Sequence, residues 1–232
     1  MTGPAVDPLI SAIIPCYNGD RYLAAAIQSV VSQSHPPAEV LVVDDGSTDR
    51  TAEVAKGFGG AVHYHRQAHA GSGAARNLGI ELAAGDLLAF LDADDLWAED
   101  KLEGQVAALR ADPGLDIVCG HAEQFVSPDL PAEARARLRV DERPMPSQLP
   151  GALLVRRPVF GRVGAYSTRY ETATEMDWFM RATEHGVKTL MLPAVVLRRR
   201  VHGANHGIVR RDARQDYVRV LKAALDRRRA AP

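Results

Sequence analysis

The chain has 232 residues, 46% of them hydrophobic and 25% charged, the composition of a globular protein with ample length to bury a core. A formal net charge of −1 argues against a general nucleic-acid binder. Two cysteines, Cys16 and Cys119, exclude a disulfide framework and suit a reducing compartment.

The opening MTGPAVDP has neither a basic n-region nor an apolar h-region, so no signal peptide is expected. No apolar run approaches membrane-spanning length, and a cytoplasmic location is the default. Residues 9–15 read as a buried strand. A helix over 20–33 follows, with Leu23, Ile27, Val30 and Val31 apolar. Residues 40–43 form the second strand, and Ser47 or Thr48 is the expected N-cap of a helix ending near Lys56. Strand 61–65, helix 72–84 closed by Gly85, strand 87–91, helix 99–111 and strand 115–119 complete the first half. This βαβα rhythm indicates an α/β fold with a mostly parallel, doubly wound sheet.

The rhythm breaks after Gly120. Residues 121–150 are rich in Pro, Arg and Glu and read as an excursion with a short helix near 131–138. Structure is expected to resume at 151–155, a helix at 175–185 and a strand at 188–196. A tail helix over 211–229 would carry Tyr217, Val220, Leu221, Ala224 and Leu225 on one side. From Arg198 onward there are eleven Lys/Arg against three Asp/Glu. Such a tail suits a phosphate, an anionic membrane or an acidic partner, and equally a solvated helix.

The most informative segment is 87–97, LLAFLDADDLW. An apolar strand delivers Asp92, Ala93 and Asp94 to its end, with Asp95 beside them. Two carboxylates at i and i+2 can share a hard divalent cation, and open α/β sheets bind ligands outside the carboxyl ends of their strands. The turn VVDDGSTD at 42–49 should open on the same edge. Asp44 and Asp45 there can accept from a base or ribose, or merely hold the turn. Tyr17, in IIPCYN at 13–18, can pack on a flat base or on core. Cys16 reads as a buried filler. GSGAARN at 71–77 is a partial dinucleotide fingerprint with Arg76 at the third glycine, better read as a cation aimed at a phosphate or base edge. In TEMDWFMR at 174–181, Glu175 and Asp177 offer a general base or simply complement the helix dipole. His202 and Asn205 follow the last strand, where a His can complete a metal shell or lie on the surface.

The ordered set IIPCYN, VVDDGSTD, ARNLGI, FLDADDLW and TEMDWFMR closely resembles glycosyltransferase family 2, over about residues 11–206. The resemblance implies a GT-A (Rossmann-like) fold: a nucleotide-sugar-binding half over about 9–120, an acceptor-side half over about 121–208, and a basic helical tail over 209–232. It implies an inverting enzyme that uses Mg²⁺ or Mn²⁺ to move a sugar from a nucleotide diphosphate, by family habit UDP, to an acceptor. Pro15, Tyr17, Asp44, Asp45, Arg76 and Ala93 would then serve the donor, Asp92, Asp94 and His202 the metal, and Asp94 would be the direct ligand. The slot for the base holds Glu175, with Asp177 the second choice. Residues 151–157 would border the acceptor site, with the Pro-rich excursion as its lid. The acceptor stays open among glycan, lipid-linked glycan, peptide and small molecule, as do a homodimer and a peripheral membrane contact through the tail. Two rivals remain: a sugar-nucleotide pyrophosphorylase, disfavoured because residues 15–20 offer one Gly and no Lys, and a degenerate binding module.

Overall fold

The computed structural model describes residues 8–141, 143–203, 205 and 214–230. The N-terminal segment read for a signal peptide lies largely outside them, as does the expected start of the tail helix at 211. Strands β1 (Ile10–Cys16), β2 (Glu39–Asp44), β3 (His63–Arg66) and β4 (Leu87–Phe90) are joined by α1 (Leu23–Val31), α2 (Thr51–Lys56) and α3 (Ser72–Leu82). The chain continues through β5 (Leu96–Trp97), α4 (Lys101–Ala111), β6 (Ile117–Val126), α5 (Ala132–Arg137), β7 (Met145–Ser147), β8 (Leu154–Arg156) and α6 (Pro158–Val163). It closes with α7 (Thr174–Glu184), β9 (Thr189–Val201) and α8 (Arg214–Ala230).

One sheet runs through both halves in the order β3-β2-β1-β4-β8-β6-β9-β5, with β7 on β6. The expected parallel arrangement holds for β3-β2-β1-β4 and for β6 with β9. β8 enters antiparallel between β4 and β6, and β7 and β5 also pair antiparallel, so the sheet as a whole is mixed. Two reversals through β8 restore direction, and β6 and β9 therefore point the same way as β1 and β4.

The first strands are buried on both faces, which is why they read as unbroken apolar runs. Ile10, Ala12 and Ile14 pack with Leu23, Ile27, Leu102 and Val106 on one side. Ile13, Val43 and Phe90 pack with Ala75, Phe160, Tyr166 and Trp178 on the other, the period-2 division that a strand imposes. Gly79 lets α3 lie directly on β1, since a Cβ there would collide with the Ile13 side chain.

Several expectations are corrected. Gly85 does not cap α3; Ala83, two residues earlier, ends the helix in extended conformation. Gly85 is needed because a Cβ would stand 2.7 Å from the Leu9 carbonyl and from Ser11. Neither Ser47 nor Thr48 caps α2, which begins at Thr51; Asp49 Oδ1 accepts the Thr51 N–H at 2.9 Å instead. β6 does not stop at Cys119 but runs on to Val126, six residues into the expected excursion, paired with a likewise extended β9. The short helix inside that excursion is present as α5. Residues 151–157 do not border an open site: Leu153, Leu154 and Val155 are fully buried in mid-sheet.

Candidate active site

Because β1, β2, β4, β6 and β9 all point one way, residues following them collect along one edge. Tyr17, after β1, is half exposed, and its ring stacks 4.2 Å from that of His69. Asn18, next to it, holds φ at +50°, a left-handed conformation that Asn tolerates. Asp44, the last residue of β2, and Asp45, just after it, are buried and occupied internally. Asp44 accepts from Ser47 N at 2.7 Å and from the Tyr64 hydroxyl at 2.5 Å. Asp45 accepts from Gln67 Nε2 at 2.6 Å, Ala70 N at 2.9 Å and Gly71 N at 2.8 Å, and lies 2.8 Å from His69 Nδ1. The pair thus holds together the turns that carry the Tyr17–His69 wall, the turn-holding alternative read for them above. Pro15 lies in β1 in register with Val43, and Ala93 is half-buried against the core.

Beyond β4 the carboxylates divide. Asp92 Oδ1 accepts from Arg76 Nη2 at 2.7 Å, and the other terminal nitrogen, Nη1, donates to Glu175 Oε1 at 2.6 Å. Arg76 is 2% exposed and lies over the Tyr166 ring. It therefore ties the strand-end acid to the first turn of α7 rather than standing free for a base edge. Burial pushes Asp92 up despite Arg76, with Asp94 and Glu175 adding to the rise. Burial pushes Glu175 up, but the Arg76 charge, together with hydrogen bonds from Arg76, its own backbone and Thr174, outweighs it and holds this carboxyl below its ordinary value. Glu175 is ionised at neutral pH.

Asp94 faces a different partner set. Its Oδ2 is 2.9 Å from His202 Nε2 and accepts from Asn205 Nδ2 at 3.3 Å. Its carbonyl accepts from Arg200 Nε, while Asp95 takes the Arg200 backbone N–H at 2.8 Å. Asp94 and His202 together are an oxygen–nitrogen pair of the type that holds a divalent cation, although among the described residues no cluster of three His, Cys, Asp or Glu converges for one.

Asp177 is 1% exposed and turned away: Arg181 Nε donates to its Oδ2 at 2.9 Å, and Arg227 lies 3.7 Å from Oδ1. Glu175 instead opens on a cleft of about 610 Å³ walled by Met176, Phe179, Gln124, Arg199, Met145 and Tyr217, among others. Ala173, just before α7, holds φ at +64°, strained for a residue with a Cβ, and so fixes where the Glu175 side chain leaves the backbone. Cys16 is buried, and burial pushes its thiol up to about 12, in keeping with an inert filler.

Residues 11–174 match the family model described as Glycosyl transferase family 2. The chain belongs to glycosyltransferase family 2. A glycosyltransferase of Rickettsia typhi is 32% identical over 185 residues, 74% of this chain and 58% of that one. Glycosyltransferase AglE of Haloferax volcanii is 33% identical over 192 residues, 77% of this chain and 62% of its own. The chain thus spans about three-fifths of the length of these relatives. Among solved structures, the mannosyltransferase PcManGT of Pyrobaculum calidifontis, in complex with GDP-Man and Mn²⁺, superposes with a TM-score of 0.73 at 22% identity, covering 96% of this chain and 65% of that one. S. aureus TarS in complex with UDP-GlcNAc gives 0.68 at 18% identity, covering 85% and 60%. The fold is the GT-A glycosyltransferase fold.

Within this family 2 chain, sequence reasoning missed the cleft walls. Met176, Phe179 and Met180 form a second apolar face on α7, at i, i+3 and i+4, opposite the core face of Trp178 and Ala182. Two apolar faces on one short helix were a readable signal. Arg199 and Gln124, in register across β9 and β6, carried none.

Proposed function

We propose that this chain transfers a sugar, with inversion, from a nucleotide diphosphate donor, by preference UDP, to a hydroxyl on an acceptor. The observation that carries this is Arg76 joining Asp92, at the donor-side strand end, to Glu175, at the mouth of the cleft. One buried cation thereby fixes the spacing between the two sides of a displacement.

The exposed face of Tyr17 offers a platform for the base. Asp94 and His202, with Asp92 beside them, fit a Mg²⁺ or Mn²⁺ ion, which when bound would neutralise charge growing on the diphosphate leaving group. Glu175, kept ionised by Arg76, takes the proton of the acceptor hydroxyl as its oxygen attacks the anomeric carbon. The new C–O bond forms while the bond to the diphosphate breaks, and the electron pair leaves with the phosphate oxygen. A single displacement of this kind inverts the centre. Asp177, occupied by Arg181, is a structural residue in this scheme.

UDP-sugars supplied with Mn²⁺ should yield UDP, and Glu175→Gln should lower that release by about 10²–10⁴-fold. Release of UDP unaltered in this variant would remove Glu175 as base. No turnover or binding of any nucleotide sugar would remove the whole reading.

A further inference from the structure

We propose that α8 docks the protein on an anionic lipid surface, from which an acceptor with an apolar anchor and an anionic head enters the cleft beside Glu175. The acceptor half of this rests on the glycosyl-transfer reading above; the docking half does not.

The orientation of α8 is fixed from within. Val220 and Ala224 are buried, Asp216 Oδ2 accepts the backbone N–H groups of Glu171 and Thr172 at 2.9 and 3.2 Å, and Arg227 pairs with Glu184 at 2.6 Å. That face turned inward leaves Tyr217, Val218, Leu221 and Leu225 outside, 47%, 66%, 45% and 52% exposed. At 3.6 residues per turn these four fall within about 100° of the circumference. Exposed apolar residues scattered singly need no explanation, but a contiguous stripe does.

Its surroundings point to the occupant. Lys222, Arg228 and Arg229 lie in or beside the stripe, none with an ion-pair partner among the described residues. An apolar stripe edged by free cations is the pattern of a helix lying in a membrane interface, where apolar area and attraction to anionic lipid add. A protein partner would need its own acidic rim around an apolar ridge; an anionic bilayer supplies both at once.

Tyr217 belongs to the stripe and to the cleft wall with Met176 and Phe179, so the apolar side of the cleft opens at the docking face. Arg199 lines the same cleft; its backbone is held in the ladder opposite Gln124 and its charge acts on Asp95. It is a cation suited to a phosphate on the acceptor head. An amphipathic molecule held in the lipid layer would present its head to Arg199 and its reacting hydroxyl to Glu175.

The test is co-sedimentation with vesicles of phosphatidylcholine containing phosphatidylglycerol, beside vesicles of phosphatidylcholine alone. Wild type should be retained on the anionic vesicles and released by salt. Each cation neutralised in Lys222→Gln/Arg228→Gln/Arg229→Gln should weaken binding about fivefold, and Leu221→Asp/Leu225→Asp should weaken it more than tenfold, with unchanged circular dichroism and UDP release. Equal binding to both vesicles, unaltered binding by either variant, or a dimer that Leu221→Asp/Leu225→Asp dissociates without vesicle binding would overturn the proposal. Vesicle binding retained with no turnover or binding of any nucleotide sugar would sink the glycosyl-transfer reading and leave the docking standing.

Discussion

Replacing Arg76 by Met tests the centre of the scheme. The substitution keeps the apolar stem but removes both contacts, at 2.7 Å to Asp92 and 2.6 Å to Glu175. Breaking a buried ion pair from one side costs roughly 3–5 kcal/mol. The carboxylates here are 42% and 27% exposed, so water takes over part of their solvation and the low end, about 3 kcal/mol, applies. For a chain of this size that lowers Tm by roughly 6–12 °C. The kinetic consequence is more specific. Arg76 holds Glu175 below its ordinary pKa, so the ionised base and the stability it contributes are present above that value and lost as pH falls through the depressed one. Without the guanidinium, burial and Asp92 push Glu175 up, and the acid limb of kcat should move to higher pH by about 1–3 units. Arg76→Lys should recover stability in part but not the profile, because one ammonium cannot span two carboxylates as a guanidinium fork does. A pH profile of UDP release for Arg76→Met that overlays wild type would refute the coupling.

Asp94→Asn and His202→Ala should each lower kcat about 10²–10³-fold and raise the Mn²⁺ concentration at half-maximal rate, measured by metal titration; a metal response equal to wild type would remove the pair as ligands. Asp177→Asn should chiefly lower Tm, through its lost ion pair with Arg181, and leave the pH profile of turnover in place, whereas a collapse of kcat with unchanged Tm would restore Asp177 as the base. Lys101 is buried against Trp97 and donates to Gln105 Oε1 and the Leu153 carbonyl, and burial pulls its ammonium from 10.5 down to about 7. Between those values the unfolded chain binds the extra proton, so stability rises with pH across the window, by roughly 5 kcal/mol at most. Below pH 7 the cost of the buried cation is carried in full. Urea unfolding of Lys101→Met should show an advantage over wild type that shrinks from pH 6.5 to 9.5; a constant difference would refute the assignment.

What the sequence discloses follows from how locally each feature is determined. β1, β2 and β4 are readable because burial on both faces demands continuous apolar runs, and the run ending in Asp92 and Asp94 marks the crevice directly. The far halves of β6 and β9 are not readable so. His121–Val126 and Leu197–Val201 mix charged and apolar residues over a partly exposed ladder, and their pairing partners lie some 75 residues away. The two residues of β5 and the single turn of α6 are too short to carry any period. Arg76 shows the same limit in chemistry: its type and its place near a glycine turn suggest a cation for a ligand, while its two partners, 16 and 99 residues distant, are visible only in three dimensions. Glu175 stands out in the sequence as a candidate because the first turn of a helix brings its carboxylate forward whatever the tertiary setting.

The division among the acidic residues explains why this edge needs so many of them. Every acceptor position on Asp44 and Asp45 that the protein uses is turned toward its own turns, through Ser47, Tyr64, Gln67, Ala70 and Gly71. These two carboxylates set the shape of the crevice by holding its turns together. Asp95 is likewise occupied, by the backbone of Arg200, which locks the end of β9 and with it the position of His202. Among the described acidic residues of this edge, Asp94, Asp92 and Glu175 keep partly open faces, and Arg76 balances two of the three. Under the proposed reading, a crevice lined by these carboxylates would receive a diphosphate together with a cation, and the partly exposed Asp94 beside His202, rather than the internally bonded DDGS turn, is where that cation would be held.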